Sequence, residues 1–364
     1  MIRDFEISTA ASASRRSFLT SAVGAAAAAP FLPGVATEAM AQSPRILKFS
    51  DHEPLGGMRT RFLKQTVFSA IARESKGRLK IEDHWDGEIA AAYDALGAVS
   101  RGTTDIGTVV PEYTAKELPL HQIFKSFIKG PFGDRQIEFF NRIYSEVDEF
   151  AEEMDRNNLV KIYFGTGYPV GFFRNAPMAS LDELKGGKWR SASFWHQDFL
   201  RNAGAIPVTM EWGPEIPEAL KAKTLDGLMV NIDSGYLLKI HEVAPHVLVS
   251  KDLWLGHVYI LAINKAVWES LAQADKDAIG LAARKSYQTL GATMEESFDI
   301  QLQDLRKAGA SVRVLTKEEV SQFESVSKYK DVQDAWADKQ KNNGLPNADL
   351  ILAKVRSVMD KIMA

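Results

Sequence analysis

Short apolar runs and longer amphipathic runs alternate along the first third of the chain. Apolar or alternating stretches at 45–50, 78–85 and 108–110 predict strands. Between them, apolar residues three or four positions apart predict amphipathic helices, one of them over 88–100. Strand–helix–strand order of this kind gives parallel strands joined by right-handed crossovers, so the pattern predicts an α/β fold.

The later pattern predicts a second domain and an unusually long helix. An amphipathic stretch at 134–157 predicts a helix that faces the core, and a loop at 165–169 marks the start of the second domain. The apolar strand 258–264, which His257 opens, is expected to return to the first domain's sheet. The stretch 274–307 contains no proline and predicts a helix that is longer than a single domain needs.

Residues 1–41 have the features of an export signal. Arg15 and Arg16 form a twin-arginine pattern, an alanine-rich apolar run follows at 22–32, and Ala39-Met40-Ala41 fits a signal-peptidase site. The apolar run is too short to cross a bilayer as a stable anchor. The sequence therefore predicts a twin-arginine signal peptide and a mature periplasmic protein that begins at residue 42.

Composition narrows the possible functions. The formal net charge is −3 and no basic run is present, which argues against a surface for nucleic acids. The chain has no cysteine, so it has neither disulfides nor thiolate metal sites. His241 and His246 are five positions apart with Pro245 between them, which does not fit the helical spacing of a zinc protease. We expect no metal and no cofactor.

The stretch 180–236 carries the strongest candidate for ligand binding. Ser180 and Glu183 have the spacing of a helix-capping box, and a short predicted strand, 188–190, then ends at Arg190. Ligand groups gather at strand ends in open α/β sheets, and a guanidinium group can hold a carboxylate through two parallel hydrogen bonds. Arg190 is therefore a candidate ligand-binding residue, with an ordinary surface ion pair as the alternative.

The order of motifs in this stretch resembles the extracytoplasmic solute-binding proteins of tripartite ATP-independent periplasmic (TRAP) transporters, of the dicarboxylate-binding type. The matching segments are Leu184-Lys185-Gly186-Gly187-Lys188-Trp189-Arg190, Gly204-Ala205-Ile206-Pro207-Val208, a Glu-x-x-x-Ala-Leu helix at Glu215–Leu220, and Asp226-Gly227. The resemblance implies a two-lobed α/β periplasmic binding protein of the Venus-flytrap type, with a ligand cleft between the lobes and a long helix that crosses both. It also implies that Arg190 forms a salt bridge with a ligand carboxylate.

Further candidates come from loops at predicted strand ends and from positions that resemble the family's cleft. His52 and Glu53 follow the first strand, and a helix-capping role is an alternative for both, more so for Glu53. Trp212 has a place in the core as its alternative. The predicted ligand-binding residues are Arg190, Asn231, Trp212, Ser193, Tyr113, Glu112, His52, Tyr168 and Phe173.

The chain departs from the family pattern in ways that affect ligand identity. Asn231 is displaced by one residue from the family's usual asparagine, so strand alternation would turn it to the other face unless the strand bulges. Val170 occupies the position of a second arginine that sialic-acid-binding members have. Glu211 and Trp212 lie too early in the chain to match the metal-assisted site of some relatives.

These observations predict a transport protein without catalytic activity. Residues 42–167 and 256–295 are expected to form the first lobe, and 168–255 with 296–364 the second. The protein would close over a small organic acid by a hinge motion and deliver it to the membrane subunits of a TRAP transporter. The alternatives are an exported hydrolase that uses a His/Glu pair and a ligand sensor with the same fold.

Overall fold

A computed structural model describes residues 43–364 with the exception of 168, 255 and 257. The predicted signal peptide, the ligand contact predicted at Tyr168 and the strand start predicted at His257 lie outside the described residues. Within the described part of the chain, no helix is both long enough and apolar enough to cross a membrane.

The described strands form two separate mixed β-sheets. The strands are β1 Arg45–Ser50, β2 Leu79–His84, β3 Ile106–Val109, β4 Leu159–Thr166, β5 Val170–Arg174, β6 Lys188–Arg190, β7 Ile206–Val208, β8 Gly227–Asn231, β9 His246–Val249, β10 Val258–Asn264 and β11 Ser311–Val314. The first sheet has the order β2-β1-β3-β10-β4, and the second has the order β11-β9-β5-β8-β6-β7. We call the parts of the molecule built around these sheets lobe I and lobe II.

The chain passes between the lobes more than once. Strands β1 to β4 belong to lobe I and β5 to β9 to lobe II, after which β10 returns to lobe I and β11 ends in lobe II. The parallel pairs β1–β2 and β1–β3 follow the predicted strand–helix–strand order. Strand β10 pairs antiparallel with both β3 and β4, so the prediction that this apolar strand returns to the first sheet is confirmed.

Helices cover both sheets. They are α1 Met58–Phe62, α2 Ser69–Glu74, α3 Ala95–Ser100, α4 Asp134–Glu146, α5 Glu149–Arg156, α6 Phe194–Asn202, α7 Glu215–Lys221, α8 Ile232–Leu237, α9 Ile240–Val243, α10 Lys265–Ser270, α11 Gln273–Lys307, α12 Lys317–Ser327, α13 Tyr329–Asn342 and α14 Ala348–Met363. A π-helical segment, Leu63–Phe68, joins α1 to α2, and 3-10 turns lie at Pro111–Tyr113, Leu120–Lys125 and Leu181–Leu184. The capping box of Ser180 and Glu183 is present at the start of Leu181–Leu184.

The long helix α11 has 35 residues and confirms the predicted lobe-crossing helix. It packs against α2 and α4 of lobe I, and against α8 and β11 on the side of lobe II. Gly291 lies where α11 crosses α4, and a Cβ atom there would come within 1.9 Å of Oδ1 of Asp134. The glycine therefore allows the two helices to approach closely.

Two predicted helices differ from the structure. The helix predicted over 134–157 is divided into α4 and α5, because Val147 leaves the helical conformation with φ −137° and is fully buried. The helix predicted over 88–100 is confined to α3. The strands fall in the chain segments predicted for each lobe, whereas α14, near the C-terminus, packs against α4 of lobe I. The predicted bounds of the two lobes stay a prediction.

Candidate functional site

A cavity lies where strand ends from the two lobes face each other. Its volume is about 20 Å³, roughly the room that one water molecule needs, so the lobes must open before a ligand of several heavy atoms can enter, and the lining side chains must make room for it when the lobes close. Lobe I contributes residues after β1 and β3 and at the start of β10, and lobe II contributes the ends of β6 and β8. The lining residues are Glu53, Glu112, Tyr113, Arg190, Ser191, Ala192, His196, Trp212, Met229, Val230, Asn231, Ser234 and Tyr259.

Arg190 is the last residue of β6 and is only 3% exposed. Its Nε and Nη2 atoms donate hydrogen bonds of 3.0 and 2.8 Å to the carbonyl oxygen of Met210. The side chain also interacts electrostatically with Tyr113, and the guanidinium carbon lies 5.5 Å from the centre of the Trp212 ring. These contacts fix the plane of the guanidinium group at the cavity wall.

The charge of Arg190 is not balanced by a neighbouring carboxylate within the described residues. Burial lowers the pKa of Arg190, while Tyr113 and Tyr93 act in the opposite direction, and no carboxylate of the described chain lies within ion-pair distance. A guanidinium group stays protonated in proteins despite such a shift. A buried charge is costly unless it is paired, so the cavity presents a cation suited to an anionic ligand.

Glu112 reaches the cavity from the 3-10 turn after β3 and forms an ion pair with Lys125. Lys125 is only 1% exposed. Burial, and then the charge of Arg190, lower the pKa of Lys125 well below its usual range. Lys125 therefore contacts Glu112, while burial and the nearby charge of Arg190 disfavour its own charged form.

A second arginine, Arg59, holds two carboxylates beneath the lobe I wall. Its Nη1 and Nη2 atoms lie 2.6 and 3.0 Å from the two oxygens of Asp51, and Nη2 also lies 2.8 Å from Oε2 of Glu53. The hydroxyl of Thr108 donates a 2.7 Å hydrogen bond to Asp51. Burial raises the pKa of Asp51, but the charge and hydrogen bonds of Arg59 outweigh this and keep the pKa below its usual value. We call Asp51, Glu53 and Arg59 the Arg59 cluster.

Hydrogen bonds cross the cavity from one lobe to the other. Ser234 on α8 donates to Oε1 of Glu53 at 2.8 Å, and Nδ2 of Asn231 donates to the hydroxyl of Tyr259 at 2.9 Å. Tyr113 of lobe I and Arg190 of lobe II also interact across the cavity. Because these bonds exist only when the two walls are close together, they stabilise a closed arrangement of the lobes.

The structure brings together most, but not all, of the side chains predicted to contact a ligand. Arg190, Glu112, Tyr113, Trp212 and Asn231 line the cavity. Asn231 does so without the bulge expected from its displacement, since β5 and β8 pair in uninterrupted register. It is the last residue of β8, where the chain turns into α8, so strand alternation no longer determines its direction.

Three other predicted residues lie away from the cavity lining. Phe173 is fully buried in the hydrophobic core, because its position on β5 turns it toward the side chains that pack beneath the sheet. Ser193 is the N-cap residue of α6 and is buried, and its hydroxyl has no hydrogen-bond partner in the described chain. His52 packs edge-on against Tyr113, with ring centres 5.8 Å apart, and so supports a cavity residue.

Sequence reasoning did not single out Arg59, Ser191, His196, Ser234 and Tyr259, and for Glu53 it left a ligand contact and helix capping as equal alternatives. Glu53 lines the cavity, and its carboxylate joins Arg59 to Ser234. The signal available in the sequence was the polar cluster at the end of β1, directly before the first helix. Arg59 gave no such signal, since an arginine in the first turns of an amphipathic helix is usually solvent-exposed.

Two α/β lobes, a cleft between their strand ends and a long crossing helix define the class of two-lobed periplasmic binding proteins. The family model "Bacterial extracellular solute-binding protein, family 7" matches residues 59–337. The chain therefore belongs to this family, the solute-binding proteins of TRAP transporters. The family consists of solute-binding proteins that work outside the cytoplasm.

Relatives and solved structures agree with this assignment. A solute-binding protein of Chromohalobacter salexigens is 25% identical over 317 residues, which are 82% of this chain and 87% of the relative. A TRAP solute-binding protein from Rhodoferax ferrireducens, in complex with copurified benzoate, has a TM-score of 0.76 at 20% identity and covers 88% of this chain and 98% of its own. A further structure from Chromohalobacter salexigens, with bound D-glucuronate, has a TM-score of 0.73 at 18% identity, over 86% of this chain and 99% of its own. At these identities the structural matches establish the fold.

Proposed function

We propose that the protein binds a small organic acid in the cavity between its lobes, with the carboxylate held by Arg190. The observation that carries this proposal is the buried guanidinium group that lacks a carboxylate partner among the described residues. The benzoate and D-glucuronate in the two solved relatives are both carboxylic acids, which supports the same ligand class here. The other predicted contacts that line the cavity are Glu112, Tyr113, Trp212 and Asn231. His52, Ser193 and Phe173 lie outside the lining, and Tyr168 lies outside the described chain.

Binding would shift the lobes from open to closed. The acid contacts Arg190 of lobe II and residues of lobe I together only when the cleft is closed, so ligand binding favours that state. The cross-lobe bonds of Glu53 and Asn231 form in the same movement and add to the stability of the closed form. This role needs ligand capture and release and no chemical step.

The partners in this proposal are the membrane subunits of a TRAP transporter, which would receive the acid from the closed protein. Family membership supports this partner, and the twin-arginine pattern at Arg15 and Arg16 supports export to the periplasm in a folded state. A reporter fused to residues 1–41 tests the export route: replacement of both arginines by lysine should abolish export, and unchanged export would contradict it.

A thermal-shift screen of the mature chain, from residue 42 onward, against a panel of organic acids tests the binding proposal. An acid present at 100 times its dissociation constant adds about 2.7 kcal/mol to the free energy of unfolding. Arg190→Ala should lose the response to that acid while remaining folded. Loss of one partner of a buried charge pair costs about 2–5 kcal/mol, which weakens binding roughly 30-fold or more.

Arg142→Ala is a matched control for the removal of an arginine. Arg142 lies on the surface of α4 and pairs with Glu146 four residues later, away from the cavity. This variant should respond to the acid as the wild type does. If no acid stabilises the wild type, or if Arg190→Ala responds equally, the proposal is wrong and the hydrolase and sensor alternatives return.

A further inference from the structure

The charges around the cavity are distributed unequally between the two lobes. Lobe II contributes Arg190, which has no carboxylate partner among the described residues. Lobe I contributes the carboxylates of Glu53 and Glu112 to the lining. One wall of the cavity is therefore cationic and the facing wall carries two acidic side chains.

The cations of lobe I are already engaged by protein carboxylates. Arg59 contacts both Asp51 and Glu53, so one positive charge serves two negative ones. Lys125 forms its ion pair with Glu112. The lobe I wall thus has no described cation that a second ligand carboxylate could use without competing with a buried protein carboxylate.

Glu53 on lobe I and Asn231 on lobe II have acceptor atoms that could take hydrogen bonds from a ligand. A carboxylate offers about four acceptor sites, and Glu53 accepts hydrogen bonds from Arg59 on Oε2 and from Ser234 on Oε1. In the arrangement in which Nδ2 of Asn231 donates to Tyr259, its Oδ1 is a buried acceptor without a hydrogen-bond partner in the described chain. A ligand hydroxyl or amino group satisfies such acceptors, and buried acceptors left unsatisfied are costly.

We infer that the cavity selects a monocarboxylic acid with a hydrogen-bond donor at the end opposite its carboxylate, and that it rejects dicarboxylic acids. This inference rests on the proposed function and names the ligand class for the same site. The carboxylate lies at Arg190 of lobe II, and the donor faces Glu53 and Glu112 of lobe I. A second carboxylate at that end faces like charges in a desolvated site, and the repulsion disfavours binding.

Isothermal titration calorimetry with two matched series of acids tests the inference. The first series is butyrate, 4-hydroxybutyrate, 4-aminobutyrate and succinate, and the second is benzoate, 4-hydroxybenzoate, 4-(aminomethyl)benzoate and terephthalate. In the series that fits the cavity, a hydroxy or amino acid should bind at least about tenfold more tightly than the parent acid and the dicarboxylate. The hydroxy and amino members distinguish a neutral donor from an ammonium group.

Glu53→Gln and Glu112→Gln test which wall residues reject the second carboxylate. Each change removes a negative charge and keeps the shape of the side chain, so the ratio between monocarboxylate and dicarboxylate affinities should fall at least about threefold. A purely structural effect would weaken both ligands alike and leave the ratio unchanged. Glu117→Gln, at an exposed position, should keep the wild-type ratio.

The outcomes separate this inference from the proposed function. A dicarboxylate that binds as tightly as the matched hydroxy and amino acids, and that depends on Arg190, overturns the inference and leaves the proposed function standing. Failure of every member of both series to bind, or equal affinity of parent and donor-bearing acids, also overturns the inference. Acid binding that does not depend on Arg190 in any case overturns both.

Discussion

The hydroxyl of Ser234, on lobe II, donates a 2.8 Å hydrogen bond to Oε1 of Glu53, on lobe I, and Arg59 contacts the other oxygen of the same carboxylate at 2.8 Å. Glu53 thus connects the surface that closes on lobe II to a buried cluster within lobe I. Since Arg59 holds Glu53 in place, Ser234 meets a fixed acceptor when the lobes come together.

Loss of the Ser234 hydroxyl should weaken ligand binding more than it weakens the fold. In Ser234→Ala, the closed state loses one hydrogen bond worth about 0.5–1.5 kcal/mol, so the dissociation constant should rise roughly two- to tenfold. Calorimetry with the best acid from the screen measures this. Ser321→Ala removes an exposed hydroxyl on α12 that donates to the carbonyl of Lys317, and it should leave affinity unchanged. Equal effects of the two changes would contradict a role of Ser234 in closure.

Removal of Arg59 should destabilise the whole protein. Arg59→Ala leaves the buried carboxylates of Asp51 and Glu53 without their cation, and breaking a buried ion pair in this way costs about 3–5 kcal/mol. Urea denaturation gives the free energy of unfolding. Arg73→Ala is the control, because the Arg73 side chain is 63% exposed in its pair with Glu74, and such pairs contribute about 0–1 kcal/mol. If Arg59→Ala lowers the free energy of unfolding no more than Arg73→Ala does, Arg59 does not stabilise the fold by balancing the two buried carboxylates.

Stability should depend on pH through Asp233, a buried residue in the first turn of α8. Burial, and then the negative charge of Glu53, raise the pKa of Asp233 to about 7 from its usual 3.8. Between about pH 4 and pH 7 the unfolded chain releases this proton while the folded protein keeps it, so stability falls as the pH rises. Asp233→Asn has no carboxyl group to titrate at this position. From pH 4 to pH 8 its free energy of unfolding should therefore rise relative to that of the wild type by an amount on the order of 2–4 kcal/mol.

Denaturant unfolding of wild type and Asp233→Asn at several pH values measures that difference. The comparison between the two proteins cancels contributions from other titrating groups. A difference that stays constant across the range, or that changes in the opposite direction, would show that Asp233 does not retain its proton in the folded protein.

Two glycines in the same helix should respond in opposite ways to alanine. A Cβ at Gly291 comes within 2.7 Å of the backbone nitrogen of Asp134, so Gly291→Ala overpacks the crossing of α11 and α4 and should cost about 1–3 kcal/mol. A Cβ at Gly280 meets only Nη1 of Arg284 at 3.4 Å, so Gly280→Ala should add about 0.5–1 kcal/mol through helix propensity. Thermal denaturation of both variants checks this, and effects of the same sign would contradict it.

The sequence predicted the features that depend on local pattern. The apolar run at β10 predicted a strand and the proline-free stretch at α11 predicted a long helix, and the structure contains both. Arg190 became the main candidate because it ends a short strand within a recognisable order of motifs, and the structure confirms its position at that strand end. These are properties of neighbouring residues, and local patterns are sufficient to reveal them.

The sequence could not predict which side chains meet across the cleft. Phe172 and Phe173 are adjacent on β5 and both are buried, so no alternation distinguishes a cleft residue from a core residue there. Asn231 reaches the cavity because β8 ends at that residue, a boundary that the apolar pattern did not reveal. Predicted element ends are uncertain by a few residues, and at a strand end this decides the direction of a side chain.

The sequence alone thus determined the family and the order of the main strands and helices, and it made Arg190 the candidate to hold a carboxylate. Only the tertiary structure decided that Glu53 faces Arg190 across the cavity with its charge shared through Arg59. The physical reason is that charge balance in a buried site depends on distances between residues far apart in the chain, and those distances are set by how the two sheets pack.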